Sequence, residues 1–226
     1  MHRFYINQTI SGKTFTCENE EIIHQLKDVL RFHAGENIIL FDNKQKEFQA
    51  QIETINKKQI TFQIMKEFKN ISEAKNKIHL YQSLVKRDNF ELILQKGTEI
   101  GADSFTPVLA QRSEKKSIKI ERCEKILKEA TEQSGRVIIP KLNKIMDLKQ
   151  ALASAPKPII AFDFSGKPFS KNTITEKASI FIGPEGGWTP EELAMFKNSQ
   201  ATIYTLGPRV LRAETAAIAA LTLALL

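Results

Sequence analysis

The residues best suited to chemistry form a glycine-rich stretch at residues 183–190, which reads GPEGGWTP. Three glycines within five residues, separated by Pro184 and Glu185, leave backbone N–H and C=O groups that no bulky side chain shields. Such a loop can approach a small polar ligand closely, or it can be only a tight connection between a strand and a helix. The stretch is neither GxGxxG nor GxxxxGK, which excludes the usual dinucleotide and P-loop sites.

A second stretch, residues 206–216, carries two arginines and reads LGPRVLRAETA. Its glycine-proline pair ends a predicted strand, and Arg209 and Arg212 are one helical turn apart if a helix has already begun. Two arginines at a ligand cleft favour phosphate or an anionic transition state, because guanidinium groups donate paired hydrogen bonds to oxyanions. The alternative is that they pair with Glu185 or Glu214.

Other arrangements that carry chemistry are missing from the sequence. The histidines have no metal-ligand spacing such as HExxH, and neither GxSxG nor a Cys/His arrangement points to covalent catalysis. We therefore expect no metal site, and any enzyme here would rely on a cofactor for its reactive group. The histidines are His2, His24, His33 and His79.

The elements that must position these stretches change character along the chain. The first seventy residues are rich in short strands, which predict a small barrel with one helix at residues 22–30. The strands are predicted at residues 4–6, 37–42, 47–55 and 60–68. Residues 69–77 are polar and lack periodicity, so we place a linker there.

After the linker, strands and helices alternate, which predicts a parallel sheet covered on both faces. Ligands of such sheets bind beyond the carboxyl ends of the strands, so the loops after Phe162, Ile182 and Leu206 are the candidate site. Strands are predicted at residues 78–84, 105–109, 137–139, 158–162, 179–182 and 202–206. Helices are predicted at residues 90–100, 120–134, 148–153, 190–197 and 213–226.

Composition narrows the class of protein and its partners. In 226 residues, 33 Lys and Arg against 26 Asp and Glu give a net charge of +7, which favours a polyanionic partner. Cys17 and Cys123 are far apart and lack CxxC partners, which fits a reducing compartment. Residues 213–226 are apolar but shorter than the roughly 20 residues of a membrane span. With no secretory signal at the N-terminus, we expect a buried terminal helix, a cytoplasmic protein and no membrane contact.

The two stretches together resemble a known family. Residues 182–187 followed by 206–216 are similar to the paired signature of the RsmE family, knotted methyltransferases of the SPOUT superfamily. Further similar blocks occur in family order over nearly the whole chain, at residues 2–5, 29–31, 95–101 and 129–136. Family members often have a large aromatic residue at the position of Cys123, which we interpret as a packing variation on the apolar side of a helix.

The resemblance implies an α/β fold with two domains. Residues 1–70 would be a PUA-like barrel that helps to hold RNA, and residues 71–226 a SPOUT α/β domain with a trefoil knot. Physical rules alone would not propose the knot, because true knots are rare. The resemblance also implies a homodimer.

The implied activity is methylation of a uridine N3 in small-subunit (16S) ribosomal RNA with S-adenosylmethionine as cofactor. The substrate would be the ribosomal RNA itself or the small ribosomal subunit. The residues implied to bind the cofactor are Phe162, Ile182, Gly183, Glu185, Gly186, Gly187, Leu206, Gly207, Leu211, Arg212, Thr215 and Ala216.

The expected mechanism is direct displacement, in which N3 of the deprotonated uracil attacks the cofactor's methyl group in line. No residue is an obvious base, and Arg209 or Arg212 would stabilise the uridine anion. A non-catalytic RNA-binding module is the alternative, which the two glycine-containing loops disfavour. Basic residues expected to contact RNA phosphates are Arg3, Arg31, Lys86, Arg87 and Arg136.

Overall fold

The chain forms two compact units. The computed structural model describes residues 1–42, 44, 46–170, 174 and 176–226. The first unit contains residues 1–73 together with 131–138, and the second contains residues 74–130 together with 139–226. The segment 131–138 therefore packs with the first unit although it lies far along the chain, a grouping that strand and helix patterns do not reveal.

The first unit is built on a five-stranded sheet with the order β1-β3-β4-β5-β2. β1 and β3 are parallel, and the other neighbours are antiparallel. The four predicted strands are confirmed, whereas β2 was not predicted because its alternation of Thr and apolar residues covers only four positions. The strands are β1 Arg3–Tyr5, β2 Thr14–Cys17, β3 Asn37–Phe41, β4 Lys46–Ile55 and β5 Ile60–Lys69.

One helix covers this sheet, as the sequence predicts. Helix α1, Glu20–His24, begins at Asn19, whose side chain accepts a hydrogen bond from the Ile22 N–H. It continues as a π-helical turn, Gln25–Val29, that buries Leu26 completely. The apolar spacing therefore indicates the buried face correctly at Ile22, Ile23 and Leu26, but Val29 and Leu30 are exposed at 61% and 39%. The wider π-helical turn is not revealed by the spacing, and it ends the agreement with the helical pattern.

The second unit contains a seven-stranded sheet in which every neighbouring pair is parallel. The strand order is β12-β10-β11-β6-β7-β8, and β9 also pairs with β7. The strands are β6 Lys77–Ser83, β7 Ser104–Leu109, β8 Lys141–Leu142, β9 Met146–Asp147, β10 Ile159–Pro168, β11 Lys177–Ile182 and β12 Thr202–Thr205. The predicted parallel sheet is confirmed.

The strand predicted at residues 137–139 is wrong. The backbone N–H groups of Val137 and Ile138 donate to the carboxylate of Glu73 at 2.9 and 3.0 Å, so they are not available to a strand ladder. The chain instead pairs with β7 a few residues later, through β8 and β9. The apolar residues 137–139 therefore belong to a loop whose backbone is held by the Glu73 carboxylate.

Helices cover both faces of the parallel sheet. Alternate strand residues such as Leu80 and Ile180 contribute to a core with α2, α3 and α6, whereas Tyr81 and Phe181 contribute to a core with α4 and α5. The helices are α2 Arg87–Ile100, α3 Ile120–Ser134, α4 Leu148–Ser154, α5 Pro190–Asn198 and α6 Ala213–Leu225. Residues 131–134 at the end of α3 belong to the first unit.

The predicted buried terminal helix is confirmed as α6, which packs against α2. Ala217, Ala220 and Leu221 of α6 are fully buried. The approach is close at Gly97 of α2, where an added Cβ would lie 2.7 Å from the Phe105 ring and 3.1 Å from Leu221. Within the described residues, no helix is long and apolar enough to cross a bilayer.

We predict that Gly97→Val lowers the free energy of unfolding by about 1–3 kcal/mol, because the new side chain overpacks the buried contact between α2 and Phe105. Lys96→Val is the matched control, since it places the same side chain on a half-exposed position of the same helix. Its expected effect is below about 1 kcal/mol. Chemical denaturation measures both changes, and equal losses in the two variants would contradict the packing account.

Candidate functional site

The second unit has a cavity at the carboxyl ends of three neighbouring strands. It has a volume of about 350 Å³, which is within the range of small-molecule sites. Its walls come from β10, from the ends of β11 and β12 with the connections that follow them, and from the first turn of α6. The lining residues are Phe162, Asp163, Phe164, Ile182, Gly183, Pro184, Glu185, Gly187, Trp188, Thr205, Leu206, Arg209, Val210, Leu211, Arg212, Ala213 and Ala216.

The glycine-rich stretch connects β11 to α5 through a defined turn. The Gly187 N–H donates to the Pro184 carbonyl at 2.8 Å, and Gly187 has a φ of 68°, which favours glycine. α5 then begins with Pro190 at its first position, and Thr189 and Glu192 form a capping box. The strand-to-helix connection that the sequence allowed is therefore present, and it also forms one wall of the cavity.

Trp188 fixes this wall to the neighbouring strand. Its indole is buried, and its Nε1–H donates to the Phe162 carbonyl at 3.1 Å. A Cβ at Gly183 would lie 3.3 Å from the same indole, so the backbone can pass the ring closely. Our sequence analysis missed Trp188, although it is the single tryptophan of the chain and lies inside the glycine-rich stretch.

Gly186, one of the predicted cofactor residues, is not among the residues that line the cavity. Its carbonyl accepts a hydrogen bond from Arg112 Nη1 at 2.7 Å. An added Cβ would lie 3.2 Å from Arg112 Cβ and Cδ. The absence of a side chain at Gly186 thus allows the Arg112 side chain to pack on the glycine-rich stretch. The residue types alone do not indicate this contact.

Arg209 and Arg212 lie on the segment that leads from β12 to α6. Both side chains are exposed, both line the cavity, and Arg212 is the N-cap residue of α6. Neither guanidinium has an ion pair in the part of the chain that the structure describes, including the pairing with Glu185 or Glu214 that we considered. Their charges therefore remain available to an anionic ligand.

Most of the predicted cofactor residues come together at this cavity. Nine line it: Phe162, Ile182, Gly183, Glu185, Gly187, Leu206, Leu211, Arg212 and Ala216. Gly186, Gly207 and Thr215 do not line it, and Gly207 instead supplies a left-handed turn with a φ of 115° after β12. Besides Trp188, six lining residues were not predicted: Asp163, Phe164, Pro184, Thr205, Val210 and Ala213. Most of them are apolar or small and give no chemical signal, and no motif marks the single carboxylate of Asp163.

Two of the predicted RNA contacts, Arg3 and Arg136, belong to the interior of the first unit. Arg3 pairs with Glu47 and also donates to the carbonyls of Gly135 and Arg136 at 3.1 and 2.9 Å. Arg136 is buried, and its guanidinium donates to Glu73 at 2.9 and 3.1 Å. Both arginines hold residues 131–138 in this unit, so we leave them out of the RNA-binding set.

The other three predicted RNA contacts are exposed. Arg31 ends the turn after the π-helical segment with a φ of 57°, and Lys86 directly precedes α2. Arg87, the first residue of α2, donates to Glu91 at 2.7 Å, and this hydrogen bond lowers the pKa of the Glu91 carboxyl. Each unit therefore presents basic side chains to solvent.

Three of the histidines, His2, His24 and His33, are exposed, and His79 is partly buried. His79 is hydrogen-bonded to Ser104 at 2.8 Å, and burial lowers the pKa of its imidazole. His24 contacts Asp28 one turn along its helix. Over the described ranges, no three His, Cys, Asp or Glu side chains are grouped so that they could hold a metal ion.

Two family models match the chain. Residues 72–225 match the model described as an RNA methyltransferase domain, and residues 19–65 match one described as an RNA methyltransferase PUA domain. The first match covers most of the second unit, including the whole cavity.

Named relatives are similar over nearly their full length. The chain is 32% identical to ribosomal RNA small subunit methyltransferase E of Bacillus subtilis, over 98% of this chain and 94% of the relative. It is 31% identical to the crystal structure of that methyltransferase from Neisseria gonorrhoeae bound to S-adenosyl methionine, with a TM-score of 0.88 over 98% and 95% of the two chains. A methyltransferase of Legionella pneumophila in complex with SAM is also 31% identical, with a TM-score of 0.90 over 98% and 96%.

We predict that Trp188→Phe lowers the free energy of unfolding by about 1–3 kcal/mol, because it removes the buried donor to the Phe162 carbonyl. Val210→Ala is the control, since Val210 lines the same cavity but is 89% exposed. Chemical denaturation should show a change below about 0.5 kcal/mol for the control. Unchanged stability in Trp188→Phe would show that this hydrogen bond does not hold the cavity wall.

Proposed function

This chain belongs to the RsmE family of ribosomal RNA small subunit methyltransferases, and we propose that it methylates N3 of a uridine in small-subunit (16S) ribosomal RNA with S-adenosylmethionine. The observation that carries the proposal is the cavity at the ends of β10, β11 and β12, which brings together most of the residues of the family's paired signature. Relatives about 30% identical over nearly the whole chain support methylation of small-subunit ribosomal RNA. The uridine N3 position rests on the resemblance to the family.

The residues present fit S-adenosylmethionine. Apolar side chains such as Ile182, Leu206 and Leu211 offer contacts to an adenine ring, and the glycine-rich stretch exposes backbone groups to polar substituents. Asp163 and Glu185 place carboxylates in the lining, which suits a cationic sulfonium centre. When bound, the cofactor supplies a methyl group that needs no further activation.

The chain's own residues must therefore act mainly on the uracil. The pKa of uracil N3 is above neutral pH, so N3 is protonated at pH 7. This proton must leave before the nitrogen can attack the methyl group. Arg209 and Arg212, exposed at the cavity and without ion pairs in the described residues, would donate hydrogen bonds to the carbonyl oxygens of the anion. The walls fixed by Trp188 would hold both reactants near contact distance.

We also propose the trefoil knot of the family for residues 71–226. β12 is the edge strand beside β10, whereas α6 packs on α2 and against β6 and β11. The connection at residues 206–212 must therefore cross the ends of β10 and β11 to reach α6. This crossing is compatible with a knot, which would also require the end of the chain to pass through a loop formed by an earlier segment, as the resemblance to the family implies.

Two further proposals concern the partners. Residues 1–70 would act as the PUA-like RNA-binding domain, and Arg31, Lys86 and Arg87 would contact phosphates of ribosomal RNA or of the small subunit. With ribosomal RNA as the substrate, we also propose that the chain acts in the cytoplasm.

A homodimer formed through the C-terminal domain would cover apolar side chains at the end of α6. Leu223 of α6 is 47% exposed, and Leu226, which follows the helix, is 78% exposed.

The activity is tested by incubating the chain with S-adenosylmethionine and either 16S ribosomal RNA or small ribosomal subunits. Mass spectrometry of the digested RNA should then detect N3-methyluridine. A methyl group on another atom would contradict the proposed position. Tight RNA binding without any methyl transfer would favour the non-catalytic RNA-binding module.

We predict that Ala216→Leu weakens binding of S-adenosylhomocysteine at least tenfold, because Ala216 lines the cavity and a larger side chain fills it. Ala194→Leu is the matched control on an exposed position of α5 and should bind like the parental chain. Isothermal titration calorimetry measures both affinities. Equal affinities in a folded Ala216→Leu protein would place the cofactor elsewhere.

We predict that Arg209→Ala and Arg212→Ala lower the single-turnover rate constant more than the RNA affinity, because an arginine that stabilises the anion acts on the transition state. For the parental chain the rate should rise with pH without tracing a bell, since no histidine is among the described residues that line the cavity. Parental rates in both variants at saturating RNA would remove the arginines from the chemical step.

A further inference from the structure

A four-residue excursion interrupts β10 at the cavity. Tyr204 of β12 is the register partner of both Phe162 and Lys167, so residues 163–166 leave the ladder and return to it at the same place. We call these residues the 163–166 excursion. Its first two residues, Asp163 and Phe164, line the cavity.

The shape of the 163–166 excursion is fixed by its own residues. Asp163 Oδ1 accepts hydrogen bonds from the Ser165 N–H at 2.9 Å and from the Ser165 hydroxyl at 2.6 Å. Gly166 passes so close to Tyr204 that an added Cβ would lie 2.4 to 2.7 Å from backbone atoms of that residue. Only glycine fits there, so the excursion is a defined turn that presents Phe164.

Phe164 lines the cavity and is 64% exposed, whereas Phe162 just before the excursion is only 7% exposed. The same mouth carries the exposed Val210 and the exposed cations Arg209 and Arg212. Exposed apolar side chains that are grouped at the mouth of a cavity mark a ligand-binding site, which a single exposed side chain would not do. An apolar ring beside cations that have no ion pair among the described residues complements an unstacked nucleobase with its neighbouring phosphates.

We infer that Phe164 stacks on the uracil that is to be methylated and holds it at the mouth of the cavity. The inference rests on the proposed function, and it adds a substrate-binding residue to it. A flipped uracil loses its stacking partners in the RNA, and an aromatic side chain replaces part of that loss. The ordered 163–166 excursion would fix the position of the Phe164 ring relative to the cavity. A uracil stacked on this ring would then have its N3 at a defined place over the cavity.

The test compares Phe164→Leu with Phe164→Tyr, which keeps the aromatic face, and with Ile120→Ala, which truncates an apolar side chain 56% exposed outside the cavity lining. The steady-state kcat and KM for RNA and the single-turnover rate constant are measured on the RNA substrate that the parental chain methylates. We expect kcat/KM for RNA to fall about fivefold to a hundredfold in Phe164→Leu. Phe164→Tyr and Ile120→Ala should stay near the parental value.

Two binding measurements complete the test. The Kd for S-adenosylhomocysteine should be the same in all these variants, and light scattering should give the same mass. A weaker Kd in Phe164→Leu would mean that the ring covers the cofactor, and a changed mass would mean that it covers a second copy of the chain. Either result, or parental kcat/KM in Phe164→Leu, would overturn the inference. A parental chain that methylates no RNA would instead overturn the proposed function.

Discussion

The parallel register of β10 between β11 and β12 is the constraint on which the site depends. Parallel strands run toward the same edge of a sheet, so the 163–166 excursion of β10 and the connections that follow β11 and β12 share one small region. Ile160 pairs with Ile180 on one side and Thr202 on the other, which fixes where along the sheet these three segments begin. The hydrogen bond from Trp188 to the Phe162 carbonyl then ties two of the walls together.

The arginines of the chain differ in the partners that surround their guanidinium groups. Arg3 and Arg136 are surrounded by carboxylates and carbonyls that accept their hydrogen bonds, and they hold residues 131–138 within the first unit. Arg209 and Arg212 lie at the cavity with no ion pair inside the described ranges. A buried guanidinium must be paired, whereas an exposed one at a cleft can stay hydrated until a ligand binds. The first two arginines therefore have a structural role, and the last two remain candidates for binding an anion.

Much of this arrangement could be predicted from the sequence. The alternation of strands and helices gave the parallel sheet, and the stretches at residues 183–190 and 206–216 gave two walls of the cavity. The strand at residues 137–139 could not be excluded, because the carboxylate of Glu73 that captures its backbone is distant in sequence. Gly186 and the 163–166 excursion were also beyond prediction, since both depend on contacts with Arg112 and Tyr204 that no local pattern shows.

Binding of S-adenosylmethionine by these three converging segments should be visible in the melting temperature of the parental chain with and without S-adenosylhomocysteine. A ligand that binds only the folded state stabilises it by an amount that grows with the logarithm of the ratio of its concentration to its Kd. We expect a rise of several degrees that grows with ligand concentration, whereas methionine, which lacks the adenosine group, should give none. An unchanged melting temperature at millimolar S-adenosylhomocysteine would show that these segments do not bind the cofactor.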